Sequence, residues 1–168
     1  LDPRMFDGPL PAYANTGSAR VAGGLGSIPR VVGEGIDIYA RRLPVNETLA
    51  RIDDIYKPFH QALRGHIQSL QQEFGYCVLI DCHSMPSSVR SGERGTTPDI
   101  IIGDRFGMSA LAWVSALAIE TFQSLGFSVT RNKPYAGGYI TEHYGRPGRG
   151  CHALQIEINR GLYLDETT

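Results

Sequence analysis

Tyr76-Cys77-Val78-Leu79-Ile80 runs directly into Asp81-Cys82-His83-Ser84-Met85. An apolar run ending in Asp-x-His-Ser reads as a buried strand that delivers polar side chains to a site at its carboxyl end, where open α/β sheets keep their ligands. Before it, Val45, Leu49, Ile52, Ile55, Tyr56, Phe59, Leu63, Ile67, Leu70 and Phe74 recur at three- and four-residue spacing, which predicts an amphipathic helix. Asn46 is its expected N-cap, Pro58 a kink or restart, and Gly75 its left-handed stop. After it, Asp99 to Gly103 reads as a second strand and Met108 to Leu125 as a helix closed by Gly126. Phe127 to Arg131 and Ala153 to Ile158 read as two further strands. Strands alternating with helices of this length predict an α/β fold with a largely parallel sheet.

The 168 residues fit one domain spanning 1–168 with a sizeable core. A net charge of -1, from 16 basic and 17 acidic residues without runs of one sign, gives no electrostatic footprint for nucleic acid or an anionic membrane. A small molecule is the expected partner. Cys77, Cys82 and Cys151 form no CxxC, and two lie in strand-like context, so all three are expected as free thiols in a reducing, cytoplasmic setting. No apolar stretch approaches the length of a membrane span, and no basic-then-apolar leader is present. The chain opens on Leu1, and the Gly/Pro/Ala-rich stretch to about Gly35 lacks periodicity.

Asp81 and His83 are two apart, so on a strand they share a face and the carboxylate can orient the imidazole as it does for a metal-bound histidine. A hydrogen-bonded turn at the strand end explains the same residues equally well. Glu157 stands inside Leu154-Gln155-Ile156-Glu157-Ile158-Asn159. An ionised carboxylate in such a strand costs several kcal/mol unless paired. Gln155, Glu157 and Asn159 form a polar stripe, which an edge strand facing solvent also shows. His83 and Glu157 together point to a hydrolytic site, because an imidazole and a carboxylate about a metal or a water are its simplest constellation. His60 and His66 lie in the helix pattern and are expected at its surface or boundary. His143 lies in the polar loop from Ala136 to Gly150, which holds five glycines, and His152 just after it. Loops of that kind often hold substrate. Gly23-Gly24-Leu25-Gly26-Ser27 has neither the strand nor the helix of a phosphate-binding turn. Cys82 points away from His83, which argues against a Cys-His nucleophile pair.

Asp81-Cys82-His83-Ser84-Met85, Pro98-Asp99-Ile100-Ile101-Ile102-Gly103-Asp104, Asn132-Lys133-Pro134-Tyr135-Ala136-Gly137-Gly138-Tyr139 and Gln155-Ile156-Glu157-Ile158-Asn159-Arg160 occur in this order. Together they resemble the N-formylglutamate amidohydrolase family, and the likeness extends to the Leu1-Asp2-Pro3-Arg4-Met5-Phe6 opening and Ile28-Pro29-Arg30. The resemblance implies a three-layer α/β/α fold of the zinc-carboxypeptidase-like (phosphorylase/hydrolase-like) class, with a mostly parallel or mixed central sheet. It implies zinc-dependent hydrolysis of the formamide of N-formyl-L-glutamate to formate and L-glutamate, a step of histidine degradation. It places a zinc ligand on His83 with Asp81 behind it, and the general base and acid on Glu157. Substrate binding falls to Arg146 and Arg149, with Asn132, Arg131, Tyr139 and His143 as further candidates.

The family's other two zinc ligands, a histidine and an acidic residue, and its Asp-x-Asn-Arg segment are expected upstream of Leu1. The resemblance therefore implies an amino-terminally incomplete chain that is inactive alone, and a sheet edge left bare that favours self-association. A related metallo-amidohydrolase acting on another N-acyl amino acid, and a non-catalytic binding module of the same fold, are the alternatives.

Overall fold

The computed structural model describes residues 1–32, 35–90 and 97–166. Where the length predicts one domain, backbone contacts divide the chain into two compact units, Leu1–Leu63 and Arg64–Thr168.

Up to about Gly35 the first unit is mostly irregular, as the lack of periodicity there predicts. Its anchor is Asp2, which accepts from the Arg4 N–H (3.0 Å) and pairs with the guanidinium groups of Arg4 (2.7 Å) and Arg30 (3.2 Å). Arg4 foremost holds this buried carboxyl down at about 2, against the opposing effect of burial. Met5, Phe6, Ile28 and Leu43 pack beside it. Helix α1 (Ala19–Ala22) is capped by Ser18. Helix α2 (Val45–Arg51) starts behind Pro44, so Asn46, the expected N-cap, lies inside the first turn. Pro44 takes the cap position instead, its ring fixing a φ of -60°. A π-helical turn (Ile52–Tyr56) then leads into α3 (Lys57–Phe74). That wider turn is the restart expected at Pro58, since the Lys57 N–H reaches back to the Ile52 carbonyl. His60, expected at the helix surface or boundary, is buried, its ring 4.2 Å from that of Tyr56 and 5.1 Å from that of Phe59. Phe59 itself is exposed. The boundary between the units falls within α3, and in its second half only Ile67 is fully buried, while Leu70 and Phe74 are exposed.

The second unit holds a four-stranded mixed sheet in the order β1-β4-β2-β3: β1 (Cys77–Met85), β2 (Ile100–Gly103), β3 (Val129–Arg131) and β4 (Cys151–Asn159). The fold class is α/β. The pairs β1–β4 and β2–β3 are parallel as expected, whereas β2 and β4 run antiparallel. Ile100, Ile102, Leu154, Ala110 and Val114 form the core between one sheet face and helix α4 (Ala112–Ser124). That helix starts later than Met108 because Ser109 Oγ donates to the Ala153 carbonyl (2.8 Å), tying the preceding segment to β4. The glycine-rich loop contains a helix that its flanking glycines mask, α5 (Tyr139–Tyr144). Gly145, which ends it, has no room for a side chain, since a Cβ there would meet Ser109 Cβ at 2.5 Å. Strand β1 lies at the sheet edge with Val78 and Ile80 38% and 42% exposed. Among the described residues no helix is long and apolar enough to cross a membrane.

His152, on the α4 side of β4, is buried, packs edge-on against Trp113 (5.9 Å) and accepts from the Leu111 N–H at 3.5 Å. Burial lowers its pKa below 6.5. A folded state that resists this protonation keeps its full stability above the unfolded-state pKa and loses it as pH falls below. The thermal midpoint should therefore drop between about pH 7 and about pH 5, and His152→Gln should flatten that part of the profile. An unchanged profile in the variant would contradict the assignment.

Candidate functional site

Parallel pairing of β1 with β4 sets His83 opposite Glu157 and Asp81 opposite Gln155. Cross-strand partners share a face, so these four side chains leave one side of the sheet, while Cys82, opposite Ile156, leaves the other. Strand β1 runs on to Met85, so His83 lies within the strand where the sequence suggests its end. Its Nε2 stands 3.1 Å from Asp81 Oδ2, the orienting contact expected between them, and the imidazole is 46% exposed.

Glu157 is 5% exposed, flanked by β1 on one side and by Ile101 of β2 on the other. Its Oε1 accepts from Gln155 Nε2 (2.7 Å), and Gln155 Oε1 in turn accepts from the Gly138 N–H (2.6 Å). Among the described residues Oε2 accepts no hydrogen bond, which leaves this oxygen for a water or a proton. The polar stripe is thus a buried, directed network and not the solvent face of an edge strand. Gln155 appears in the sequence only as part of that stripe; its position two residues before Glu157 is the signal for its role.

The other expected substrate residues fall elsewhere. Asn132 and Arg131 belong to a cluster around Asp104, which is fully buried. Asp104 accepts from Asn132 Nδ2 (2.7 Å), Ser115 Oγ (2.5 Å) and the Gly107 N–H (3.1 Å), and pairs with the Arg131 guanidinium. Burial pushes this carboxyl up, but the donors, Arg131 first, outweigh it and hold it below the ordinary value. Arg131 is in register with Ile102, on the face opposite Glu157. Arg131 and Asn132 therefore hold β3 and α4 together here. Tyr139 and His143 stack on α5 with ring centroids 5.1 Å apart. Arg146 bridges to Cys151 at the start of β4, six residues or about 20 Å along the strand from Glu157. Its Nη1 donates to the Glu142 and Gly145 carbonyls (2.8 and 2.7 Å). Arg149 is exposed on the following turn, and its carbonyl accepts from Gln71. A cavity of about 300 Å³ is lined by Arg105, Phe106, Glu142 and Arg146. Cys77 and Cys151 are buried at the far end of the strands from His83 with their sulfurs 3.3 Å apart. All three cysteines are free thiols.

A catalytic zinc site uses three protein ligands. Among the described residues no group of three His, Cys, Asp or Glu side chains is placed to hold a metal ion. His83 with Asp81 is one donor and its orienter, so these residues do not complete such a site.

The model of the N-formylglutamate amidohydrolase family matches residues 1–164. An N-formylglutamate deformylase of Pseudomonas putida is 32% identical over 164 residues, covering 96% of this chain and 58% of the relative. One from Pseudomonas aeruginosa PAO1 is 31% identical over 84% of this chain and 54% of its own length. The crystal structure of an N-formylglutamate amidohydrolase from Ralstonia eutropha JMP134 superposes with a TM-score of 0.87 at 32% identity, over 99% of this chain and 60% of that one. The chain thus spans less than two thirds of the length of each of these proteins.

After exhaustive dialysis, metal analysis of this chain should find zinc well below one equivalent. Stoichiometric zinc would contradict the incomplete donor set.

Proposed function

This chain belongs to the N-formylglutamate amidohydrolase family, and from that premise we propose that the protein carrying it hydrolyses the formamide bond of N-formyl-L-glutamate, releasing formate and L-glutamate. The observation that carries the reading is the Glu157 carboxylate, buried in β4, fixed through one oxygen by Gln155 and facing the same side as His83. A general base needs a set orientation and an unoccupied lone pair within reach of the water it deprotonates. Gln155 supplies the first, and Oε2 offers the second.

On this reading Glu157 takes a proton from the water that attacks the formyl carbon. It then returns that proton to the nitrogen of the departing amine, so the carboxylate ends as it began. On the same reading His83, with Asp81 behind it, would be one ligand of a zinc ion whose further donors the described residues do not supply. The dicarboxylate substrate requires cationic groups for orientation, and Arg131, already committed to Asp104, is not free for that role. Three free thiols suit a reducing cytoplasm as the site of action.

In the protein carrying this chain, Glu157→Gln should lower kcat for formate release by roughly 10²- to 10⁴-fold, the range of general acid–base catalysis, without loss of folding by circular dichroism. N-formyl-L-glutamate should outrun N-acetyl-L-glutamate. A variant that keeps wild-type kcat, or indifference to the formyl group, would sink the proposal.

A further inference from the structure

Strand β2 ends on Gly103, which is in register with Gln155 of β4. Cross-strand partners share a face, so Gly103 lies on the side of the sheet that carries Gln155, Glu157 and His83. Glycine weakens a strand, because it loses more backbone freedom on folding and packs no side chain. A left-handed backbone does not call for it here, since the φ of Gly103 lies outside that region. Space explains it instead. A Cβ on Gly103 would stand 2.8 Å from the Ala136 carbonyl carbon, 2.8 Å from the Gly137 nitrogen and 3.0 Å from the Ala136 oxygen. All three atoms belong to one backbone peptide, so no side-chain rotation relieves the clash.

The segment that this peptide opens is tied on two sides. The Ala136 carbonyl accepts from the Arg105 N–H (2.7 Å), and Thr141 Oγ1 donates to the Gly138 carbonyl (2.9 Å). Between these ties the Gly138 N–H donates to Gln155 Oε1 at 2.6 Å. A donor aimed at one end of a primary amide sets which end is the oxygen, and the other end, Nε2, is thereby presented to Glu157 Oε1 (2.7 Å). The height of residues 136–138 over β2 thus reaches the carboxylate through two hydrogen bonds. Gly138 needs the same closeness, since a Cβ there would meet Gln155 Oε1 at 3.2 Å.

We propose that Gly103 is a positioning residue for the hydrolysis: by leaving space for the Ala136–Gly137 peptide directly over β2, it brings the Gly138 N–H down onto Gln155, which orients Glu157. The inference rests on the proposed function above. Gly103 touches neither substrate nor the attacking water and acts through the loop alone. A side chain at this position lifts the loop, loosens the bond from Gly138 and frees the Gln155 amide to turn away from the carboxylate. The loss then falls on the chemical step.

Formate release from N-formyl-L-glutamate is measured on the protein carrying this chain, wild type and Gly103→Ala, together with hydrogen exchange at the Gly138 amide by nuclear magnetic resonance. Gly103→Ala should lower kcat by about 10- to 100-fold, the scale of displacing a catalytic group by roughly an ångström. KM should move by less than about threefold, because the base serves the chemical step and not binding. In the Gln155→Leu protein the same substitution should cost less than about twofold, since Gly103 acts through Gln155. The Gly138 amide should exchange about tenfold faster in Gly103→Ala than in the wild type. If Gly103→Ala does not fold by circular dichroism, Thr141→Val, which frees the Gly138 carbonyl, takes its place and should lower kcat with the same dependence on Gln155. Wild-type kcat in whichever variant folds, a loss confined to KM, or a loss equally large without Gln155 would overturn the role of Gly103 and leave the reaction standing. A wild type that releases no formate would overturn the proposed reaction itself, and this role with it.

Discussion

A carboxylate buried within a sheet is the constraint around which the second unit is arranged. Placing Glu157 in β4 removes an ionisable group from water, at a cost of several kcal/mol unless hydrogen bonds replace the solvent. Gln155 replaces part of it, and it must itself be satisfied, which it achieves through the Gly138 N–H. That contact fixes the loop before α5, and the Asp104 cluster fixes the turn after β2 against the same loop through Arg105 and Ala136. The parallel register of β1 then sets His83 beside Glu157 and not one residue away, where it would face the other side of the sheet.

The sequence made the strands and the α/β class legible because each rests on local pattern, and it singled out His83 and Glu157, which the fold sets opposite one another. Apolar runs bounded by turn residues mark β1 and β2, and a charge inside such a run marks Glu157. The antiparallel entry of β4 between β1 and β2 was not legible, since strand direction depends on pairing partners far apart in the chain. Arg131 and Asn132 looked like substrate groups because they neighbour a family-like segment. Only the fold shows the buried Asp104 that draws them away, since Gly103-Asp104 in sequence is an ordinary strand end. Helix α5 was hidden for a related reason: its few residues are flanked by glycines needed for close approach, and Thr141 and Tyr144 bury themselves without a long periodic signal.

Exposed apolar side chains occur on several elements. Val78 and Ile80 lie on the edge strand β1, and Leu70 and Phe74 on the end of α3. Edge strands with uncovered apolar side chains pair readily with further polypeptide. Strand β1 carries His83, so whatever pairs with that edge also borders the site.

The central claim is that Gln155 and Glu157 act as one unit, with Gln155 positioning the base. A double-mutant cycle on kcat, with Gln155→Leu, Glu157→Gln and both together, measures this directly. The account predicts that Gln155→Leu slows the wild type but slows the Glu157→Gln protein little further. Additive losses would show that Gln155 acts independently of Glu157 and would contradict the account.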